Sequence, residues 1–222
     1  VSVLVIRPGR IPAEEVATCL TEEEKARAAR FKFERDASQW AETRAGMRQI
    51  LGQALGLAPI EVPLVTSPNG KPLLAAPHGQ LHFNLSHCEG LAILALSEAG
   101  PVGIDLEPCQ RAGDVLECEA SFCHPEEIRG LPPVPEERAK QLLRIWTAKE
   151  AILKALGTGL SHPPESVIVH FGHEGTFATS DIPLEEIRVF RIEELRHDLL
   201  EGFQAMIAAR ADAQTFAIRE YL

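Results

Sequence analysis

The segment WTAKEAILKAL, residues 146–156, restricts the fold more than any other part of the chain. Alanine, leucine and glutamate are strong helix formers, and no glycine or proline interrupts the run, so the segment predicts a helix. Lys149 falls inside the apolar stripe of this helix, and Glu150 and Lys154 lie one turn apart at the edge of the stripe. A solvated face would carry such charges on the opposite side. The stripe itself consists of Ile145, Ala148, Ile152, Ala155 and Leu156.

The charge of the chain is unevenly distributed. The formal net charge of the 222 residues is −10, which disfavours a general nucleic-acid binder. Residues 25–48 nevertheless hold seven basic side chains against three acidic ones. A local basic patch on an acidic protein predicts a specific anionic ligand or partner.

The cysteine count and the apolar runs predict the cellular environment. Five cysteines, an odd number for a chain of this size, argue against a disulfide framework. The longest apolar run, LAILAL at 91–96, is far too short to cross a bilayer, and no signal peptide is visible. We therefore expect a reduced, cytoplasmic protein that binds neither nucleic acid nor membrane.

Helix and strand signals recur in a similar order in two halves of the chain. Thr21 and Glu24 predict a capping box at the start of a short helix. Longer helices are predicted over 37–56 and 136–156, and each is followed by several predicted strands. The predicted strands of the second half lie at about 166–171, 188–193, 203–209 and 215–219. This plan predicts an α+β fold of two similar subdomains, residues 1–102 and 103–222.

Carboxylates converge in the predicted second half. Asp105 and Glu107, in GIDLE, stand two residues apart on a predicted strand, so their side chains point to the same face. A solvated strand face would also carry them, but adjacent carboxylates repel unless a cation or a proton lies between them. With Glu150 as a third carboxylate, the set predicts a site for a hard cation such as Mg²⁺, which also binds substrate phosphates.

Polar residues at the end of LHFNLSH allow two interpretations. Ser86 and His87 are adjacent and lack a GxSxG elbow, which disfavours nucleophilic catalysis. Contact with a phosphate is the better interpretation, and a turn with a capping serine is the alternative. Lys71, in the predicted turn SPNGKP, is weak evidence by itself because exposed turn lysines are common.

Taken in order, NGKP, FNLSH, GIDLE and WTAKEAILKALGTGL resemble the motifs of the Sfp-type 4'-phosphopantetheinyl transferases. The segments EKARAARFKFERD and SFCHPEE are similar to two further segments of that family. The resemblance implies a monomer of two pseudo-twofold α+β halves with coenzyme A in the cleft between them. It implies transfer of the 4'-phosphopantetheine arm of coenzyme A to a serine of an apo acyl or peptidyl carrier protein, releasing 3',5'-ADP. Fatty-acid, polyketide and nonribosomal-peptide carriers all stay open.

The resemblance also implies roles for individual residues. Asp105, Glu107 and Glu150 would hold Mg²⁺, or Mn²⁺ in its place. Apart from the resemblance, we expect Glu150 to take the serine proton, directly or through water, because it would lie at the metal on the same helix as Lys154. The sequence leaves open whether Glu150 is ligand, base or both. Lys154 would contact the pyrophosphate, and Arg27 would face the 3'-phosphate, with Arg30 and Arg44 as helpers. The residues implied at the nucleotide end are Lys71, Asn84, Ser86 and His87.

Lys149 and two rival functions complete the expectations. Lys149 would be costly to bury unpaired, so we expect it to reach a carboxylate or coenzyme A, or to snorkel along the helix. The first rival function is an inactive module that binds coenzyme A or a carrier protein. The second is another Mg²⁺-dependent enzyme, a nucleotide pyrophosphohydrolase, which would cleave its nucleotide without a carrier.

Overall fold

Each half of the chain packs one long helix against a sheet in the computed structural model. The structure describes residues 1–88, 90–173, 175–183, 187–212 and 217–221. The two long helices, Glu34–Leu55 and Pro135–Leu156, both have 22 residues. The prediction of an α+β fold with two similar halves is confirmed.

The first half begins with a strand and three helices. Thr21 caps the second helix through the predicted capping box, because its hydroxyl accepts from the Glu24 N–H and the Glu24 carboxylate accepts from the Thr21 N–H. The helices are α1 (Ala13–Cys19), α2 (Glu22–Ala28) and α3 (Glu34–Leu55). The strands are β1 (Ser2–Ile6), β2 (Leu64–Thr66), β3 (Pro72–Leu74), β4 (His82–Cys88) and β5 (Leu91–Ser97).

The second half begins with the strand that contains GIDLE. Its helices are α4 (Glu119–Phe122), α5 (Pro125–Arg129) and α6 (Pro135–Leu156). Its strands are β6 (Val102–Pro108), β7 (Val167–Gly172), β8 (Gly175–Ser180), β9 (Phe190–Glu194), β10 (Phe203–Arg210) and β11 (Ala217–Tyr221).

The boundaries differ from the predictions in a few places. Helix α3 begins at Glu34, three residues before the predicted start. Helix α1 and strand β8 have no predicted counterpart, because their segments, AEEVATC and GTFATS, are too short to show a clear periodic pattern. Of the strand predicted at 215–219, residues 215 and 216 lie outside the described residues, and 217–219 belong to β11.

Two sheets form the centre of the molecule. The first has the strand order β11-β1-β5-β4, and the second has the order β6-β10-β9-β8-β7. Strand β11 pairs in parallel with β1, so the last described strand returns to the sheet of the first half. The division of the chain at residues 102 and 103 therefore stays a prediction.

Strand alternation builds four layers. In β5, Leu91, Ile93 and Ala95 enter a core between the two sheets, whereas Ala92 and Leu94 face α3. In β6, the even-numbered residues from 102 to 106 enter the same central core. Successive side chains of a strand point to opposite faces, so residues 103, 105 and 107 face α6. The layers therefore run α3, first sheet, second sheet, α6.

Two further findings concern the thiols and the helices. Within the described residues, which include all five cysteines, no disulfide is formed. None of the helices in the described ranges has the length and apolar character needed to cross a membrane.

Gly103 allows α6 to lie directly on β6. A Cβ atom added at Gly103 would lie 2.0 Å from the Ala151 carbonyl oxygen and 2.3 Å from the Ala155 nitrogen. These contacts are with the helix backbone, which cannot rotate away as a side chain can. The glycine of GIDLE therefore sets how closely α6 approaches the strand that carries Asp105 and Glu107.

We expect Gly103→Ala to lower the free energy of unfolding by about 1–3 kcal/mol, the usual cost of overpacking, or by more. Urea denaturation measures this change. Gly113→Ala is the matched control, because a Cβ there would meet nothing within 4 Å. Equal stability of the two variants would show that α6 does not lie on β6 as described.

Candidate active site

Strands β4 and β6 and helix α6 border a cavity of about 420 Å³ where the two halves meet. Six of the predicted site residues line it, whereas Arg27, Lys71 and Asn84 do not. The lining residues are Ser86, His87, Cys88, Asp105, Leu106, Glu107, Arg111, Trp146, Glu150 and Lys154.

Regular spacing on two elements brings the charged residues together. Asp105 and Glu107 occupy alternate positions of β6 and face α6. Trp146, Glu150 and Lys154 recur every four residues, so they form one stripe along α6. The charges beside the apolar stripe of this helix therefore border a cavity rather than a dry core.

Lys154 links the two halves. Its Nζ lies 2.6 Å from Asp105 Oδ1 and donates to Ser86 Oγ at 3.3 Å and to the Ile104 carbonyl at 3.4 Å. Ser86 Oγ in turn donates to Asp105 Oδ1 at 2.9 Å. The Asp105 side chain is only 5% exposed, whereas 26% of the Lys154 side chain is open to the cavity. The ammonium is thus held firmly and can still meet a ligand.

Burial and mutual repulsion raise the pKa of two carboxyl groups in the cavity. Burial raises the pKa of Glu150, and the nearby Asp105 and Glu107 raise it further against the opposing effect of Lys154. Burial and Asp105 also raise the pKa of Glu107. The Trp146 indole N–H donates to Glu107 Oε1 at 3.2 Å, a contact that favours the charged form of the carboxylate.

Two oxygens of this set fit a hard cation. Asp105 Oδ2 and Glu150 Oε1 are buried and have no hydrogen-bond partner in the described part of the chain. Buried, mutually repelling carboxylate oxygens are suitable ligands for Mg²⁺. Across the described ranges, however, no three His, Cys, Asp or Glu side chains form a group that could hold a metal ion. The cation site therefore stays a prediction.

His87 lies at the rim of the cavity. His87 is exposed as a residue. Its imidazole is nevertheless partly shielded from water and lies near the Lys154 charge, and both effects lower its pKa. A neutral imidazole at neutral pH follows, with one nitrogen able to donate a hydrogen bond and the other able to accept one.

Arg27 lines a separate groove of about 1000 Å³ between helices α2 and α3 and the segment 60–66. Its guanidinium carbon lies 5.1 Å from the centre of the Trp40 ring, and Phe31 packs against the same ring at 6.0 Å. A guanidinium stacked on an indole keeps its donors available for an anion.

The predicted helper Arg44 is engaged elsewhere. Glu24 forms ion pairs with Arg44 and with Arg48, whose Nε lies 2.7 Å from Glu24 Oε2. Burial alone would raise the pKa of Glu24, but hydrogen bonds from Arg48, the Thr21 N–H and Arg44 hold it below its usual value. Arg27 and Arg30 are therefore the arginines of the groove that do not pair with Glu24.

Lys149 is a structural residue. Its side chain is fully buried, and its Nζ lies 2.6 Å from Glu127 Oε2. The same ammonium donates to the carbonyl oxygens of Phe122, Pro164 and Val167. The expected carboxylate partner is thus found, but it belongs to SFCHPEE and lies outside the cavity. The sequence did not reveal Glu127, because its pairing joins elements far apart in the chain.

Lys71 and Asn84 point their polar ends at backbone groups. Lys71 Nζ donates to the Lys154 carbonyl at 2.6 Å and to the Val102 carbonyl at 3.3 Å, and burial lowers its pKa to about 8. Asn84 is buried and its Oδ1 accepts from the Ile104 N–H at 2.8 Å. Contact of these two side chains with the nucleotide stays a prediction that the geometry does not favour.

The lowered pKa of Lys71 predicts a specific pH dependence of stability. Between the folded value of about 8 and the ordinary value of 10.5, the unfolded chain binds more protons at this residue than the folded protein does. The free energy of unfolding of the wild type should therefore rise with pH through this window, relative to Lys71→Met.

Urea denaturation of both proteins across the window measures the difference. Lys32→Met, at an exposed lysine, is the matched control. If the difference in the free energy of unfolding between the wild type and Lys71→Met stays constant with pH, the lowered pKa of Lys71 is contradicted.

Comparison with known proteins identifies a family of related sequences. Residues 101–215 match the 4'-phosphopantetheinyl transferase superfamily, and residues 7–99 match the family described as 4'-phosphopantetheinyl transferase, N-terminal. A relative from Nostoc sp., 4'-phosphopantetheinyl transferase HetI, is 36% identical over 67% of this chain and 64% of its own length. The chain thus spans less than two thirds of that relative.

Two further similarities extend the comparison. The 4'-phosphopantetheinyl transferase psf-1 of Bacillus pumilus is 30% identical over 78% of this chain and 72% of its own length. Among solved structures, the holo-[acyl-carrier-protein] synthase of Thermotoga maritima shares 21% identity with a TM-score of 0.40, over 49% of this chain and 61% of that chain. On the sequence matches, the chain belongs to the 4'-phosphopantetheinyl transferase superfamily.

Proposed function

We propose that the chain transfers the 4'-phosphopantetheine arm of coenzyme A to a serine of an apo acyl or peptidyl carrier protein and releases 3',5'-ADP. The observation that carries the proposal is the cavity in which the Lys154 ammonium lies beside unpartnered oxygens of Asp105 and Glu150 in the described part of the chain. Such a site offers a positive charge for a leaving group and an acceptor for a proton. Membership in the superfamily supports the same reaction.

Lys154 would stabilise the leaving group. Attack of the serine oxygen on the β-phosphate breaks the bond to the α-phosphate, and negative charge grows on the departing 3',5'-ADP. A fixed ammonium beside that charge lowers the barrier because it need not reorient during the reaction. Asp105 of the second half and Ser86 of the first half hold Lys154 in place.

Glu150 would take the serine proton, directly or through water. Its carboxylate lies in the same cavity as Lys154, one helical turn away. Burial raises its pKa, which makes it a better proton acceptor than an exposed glutamate.

The same groups would also bind a divalent cation. Asp105 and Glu150 would hold Mg²⁺, or Mn²⁺, with Glu107 next to them, and the bound ion would supply positive charge to the pyrophosphate. Glu107 is already oriented by the Trp146 indole, so its carboxylate is positioned without a ligand.

We also propose that the protein acts in the cytoplasm as a monomer, apart from membranes and nucleic acids. The acidic net charge of −10 and the lack of a membrane-crossing helix in the described ranges support the last two points. Sedimentation equilibrium tests the monomer.

Mass spectrometry of an apo carrier protein tests the reaction. Incubation of a fatty-acid, polyketide or nonribosomal-peptide carrier with coenzyme A, Mg²⁺ and the protein should add the phosphopantetheine mass to the carrier. Cleavage of coenzyme A in the absence of a carrier would instead show a pyrophosphohydrolase. Binding without either product would show an inactive binding module.

Glu150→Gln preserves the shape of the side chain and removes its charge and basicity. We expect kcat for carrier modification to fall about 10²- to 10⁴-fold, the range of general-base catalysis. Glu137→Gln, at an exposed position of the same helix, is the matched control and should keep wild-type kcat. Wild-type turnover by Glu150→Gln would remove Glu150 from the reaction.

Arg27→Ala tests the groove between α2 and α3. Loss of a charged hydrogen bond to the 3'-phosphate should raise KM for coenzyme A about tenfold. KM for the analogue that lacks the 3'-phosphate should barely change, because the interaction is already missing. Arg35→Ala, an exposed arginine beyond the groove, is the control. Equal effects of Arg27→Ala on both substrates would refute contact with the 3'-phosphate.

A further inference from the structure

One edge of β6 has no neighbouring strand in its sheet, as far as the described residues extend. Strand β6 is the first strand of the second sheet and pairs with β10 on its other edge. In an antiparallel strand, alternate residues direct both their N–H and C=O groups to the same edge. Ile104 and Val102 direct these groups away from β10, towards the first half. Both residues are fully buried, so the groups on this edge need partners within the protein.

Side chains supply partners for three of these four groups. Asn84 Oδ1 accepts from the Ile104 N–H at 2.8 Å, and Lys154 Nζ donates to the Ile104 carbonyl at 3.4 Å. Lys71 Nζ donates to the Val102 carbonyl at 3.3 Å. A ladder of side chains thus runs along β6 where a backbone ladder would run in a continuous sheet.

Two of these side chains come from the first half and act close to the reactive groups. Asn84 and Ser86 occupy alternate positions of β4, so both face β6, and Ser86 contacts Asp105, the residue that follows Ile104. Lys71 also donates to the Lys154 carbonyl at 2.6 Å and so fixes the last turn of α6.

We propose that Asn84 and Lys71 are positioning residues that set the spacing between β4, β6 and α6 in the active site. They align Ser86, Asp105 and Lys154 through contacts with backbone groups and need not touch coenzyme A. This inference rests on the proposed function for its kinetic consequence, whereas its structural consequence can be measured without any transfer reaction.

Hydrogen exchange of the Ile104 amide reports the Asn84 contact directly. In Asn84→Ala, we expect this amide to exchange at least about tenfold faster than in the wild type, because its buried partner is lost. Asn84→Asp keeps an acceptor oxygen at the same length and should retain the protection. Asn69→Ala is the matched control, because the Asn69 amide also crosses between the halves, to the exposed Gly157 carbonyl.

Kinetics separate positioning from ligand contact. For Asn84→Ala we expect kcat to fall about 10- to 100-fold, the cost of small displacements in an active site. The Kd of coenzyme A, measured by calorimetry, should change less than about threefold.

Each contrary outcome overturns the proposal. Unchanged Ile104 exchange in Asn84→Ala would show that the side-chain ladder does not exist. A large rise in the Kd of coenzyme A with unchanged kcat would identify Asn84 as a ligand contact. If Asn84→Ala does not fold, loss of Ile104 protection in the folded Asn84→Asp protein would refute the ladder instead.

An absence of transfer activity in the wild type would refute the proposed function and leave the exchange result valid.

Discussion

The Lys154 ammonium joins the two halves of the molecule inside the cavity. It contacts Asp105 and the Ile104 carbonyl of the second half and Ser86 of the first half. An ammonium largely removed from water needs such partners, because an unpaired buried charge is strongly destabilising. The contacts depend in turn on Gly103, which lets α6 lie close enough to β6 for Lys154 to reach the strand edge.

The same crowding explains the electrostatics of the cavity. Asp105, Glu107 and Glu150 lie near one another, and burial raises the pKa of both glutamates. Lys154 and Arg111 both act to lower the pKa of Glu107, yet two carboxylate oxygens of the cavity have no hydrogen-bond partner in the described residues. The proposed cation would take these oxygens as ligands, and its charge would in turn attract a phosphate-bearing substrate. The charges beside the apolar stripe of α6 are the groups that the proposed reaction would use.

Local periodicity predicted the parts of the site that lie on single elements. The two-residue spacing of Asp105 and Glu107 and the four-residue spacing of Glu150 and Lys154 are properties of one strand and one helix, and the sequence displays them directly. The capping box of α2 and the two long helices were predictable for the same reason.

Contacts between distant segments were not predictable. Lys71, Asn84 and Lys149 all have polar side chains whose partners are backbone groups or, for Lys149, also Glu127. Backbone groups have no residue identity, so a sequence pattern cannot show which of them a side chain will reach. Asn84 and Lys71 have the pattern of ligand contacts in the sequence, and in the structure their polar atoms contact backbone groups of β6 and, for Lys71, of α6.

A double-mutant cycle on Asp105 and Lys154 tests the central interaction most directly. The free energies of unfolding of Asp105→Asn, Lys154→Met and the double variant are compared with that of the wild type by urea denaturation in the presence of a chelator. If the ion pair joins α6 to β6 as described, the double variant should be more stable than the sum of the single effects predicts, by about 1 kcal/mol or more. Additive effects, within about 0.3–0.5 kcal/mol, would show that the two residues do not interact and would contradict the account.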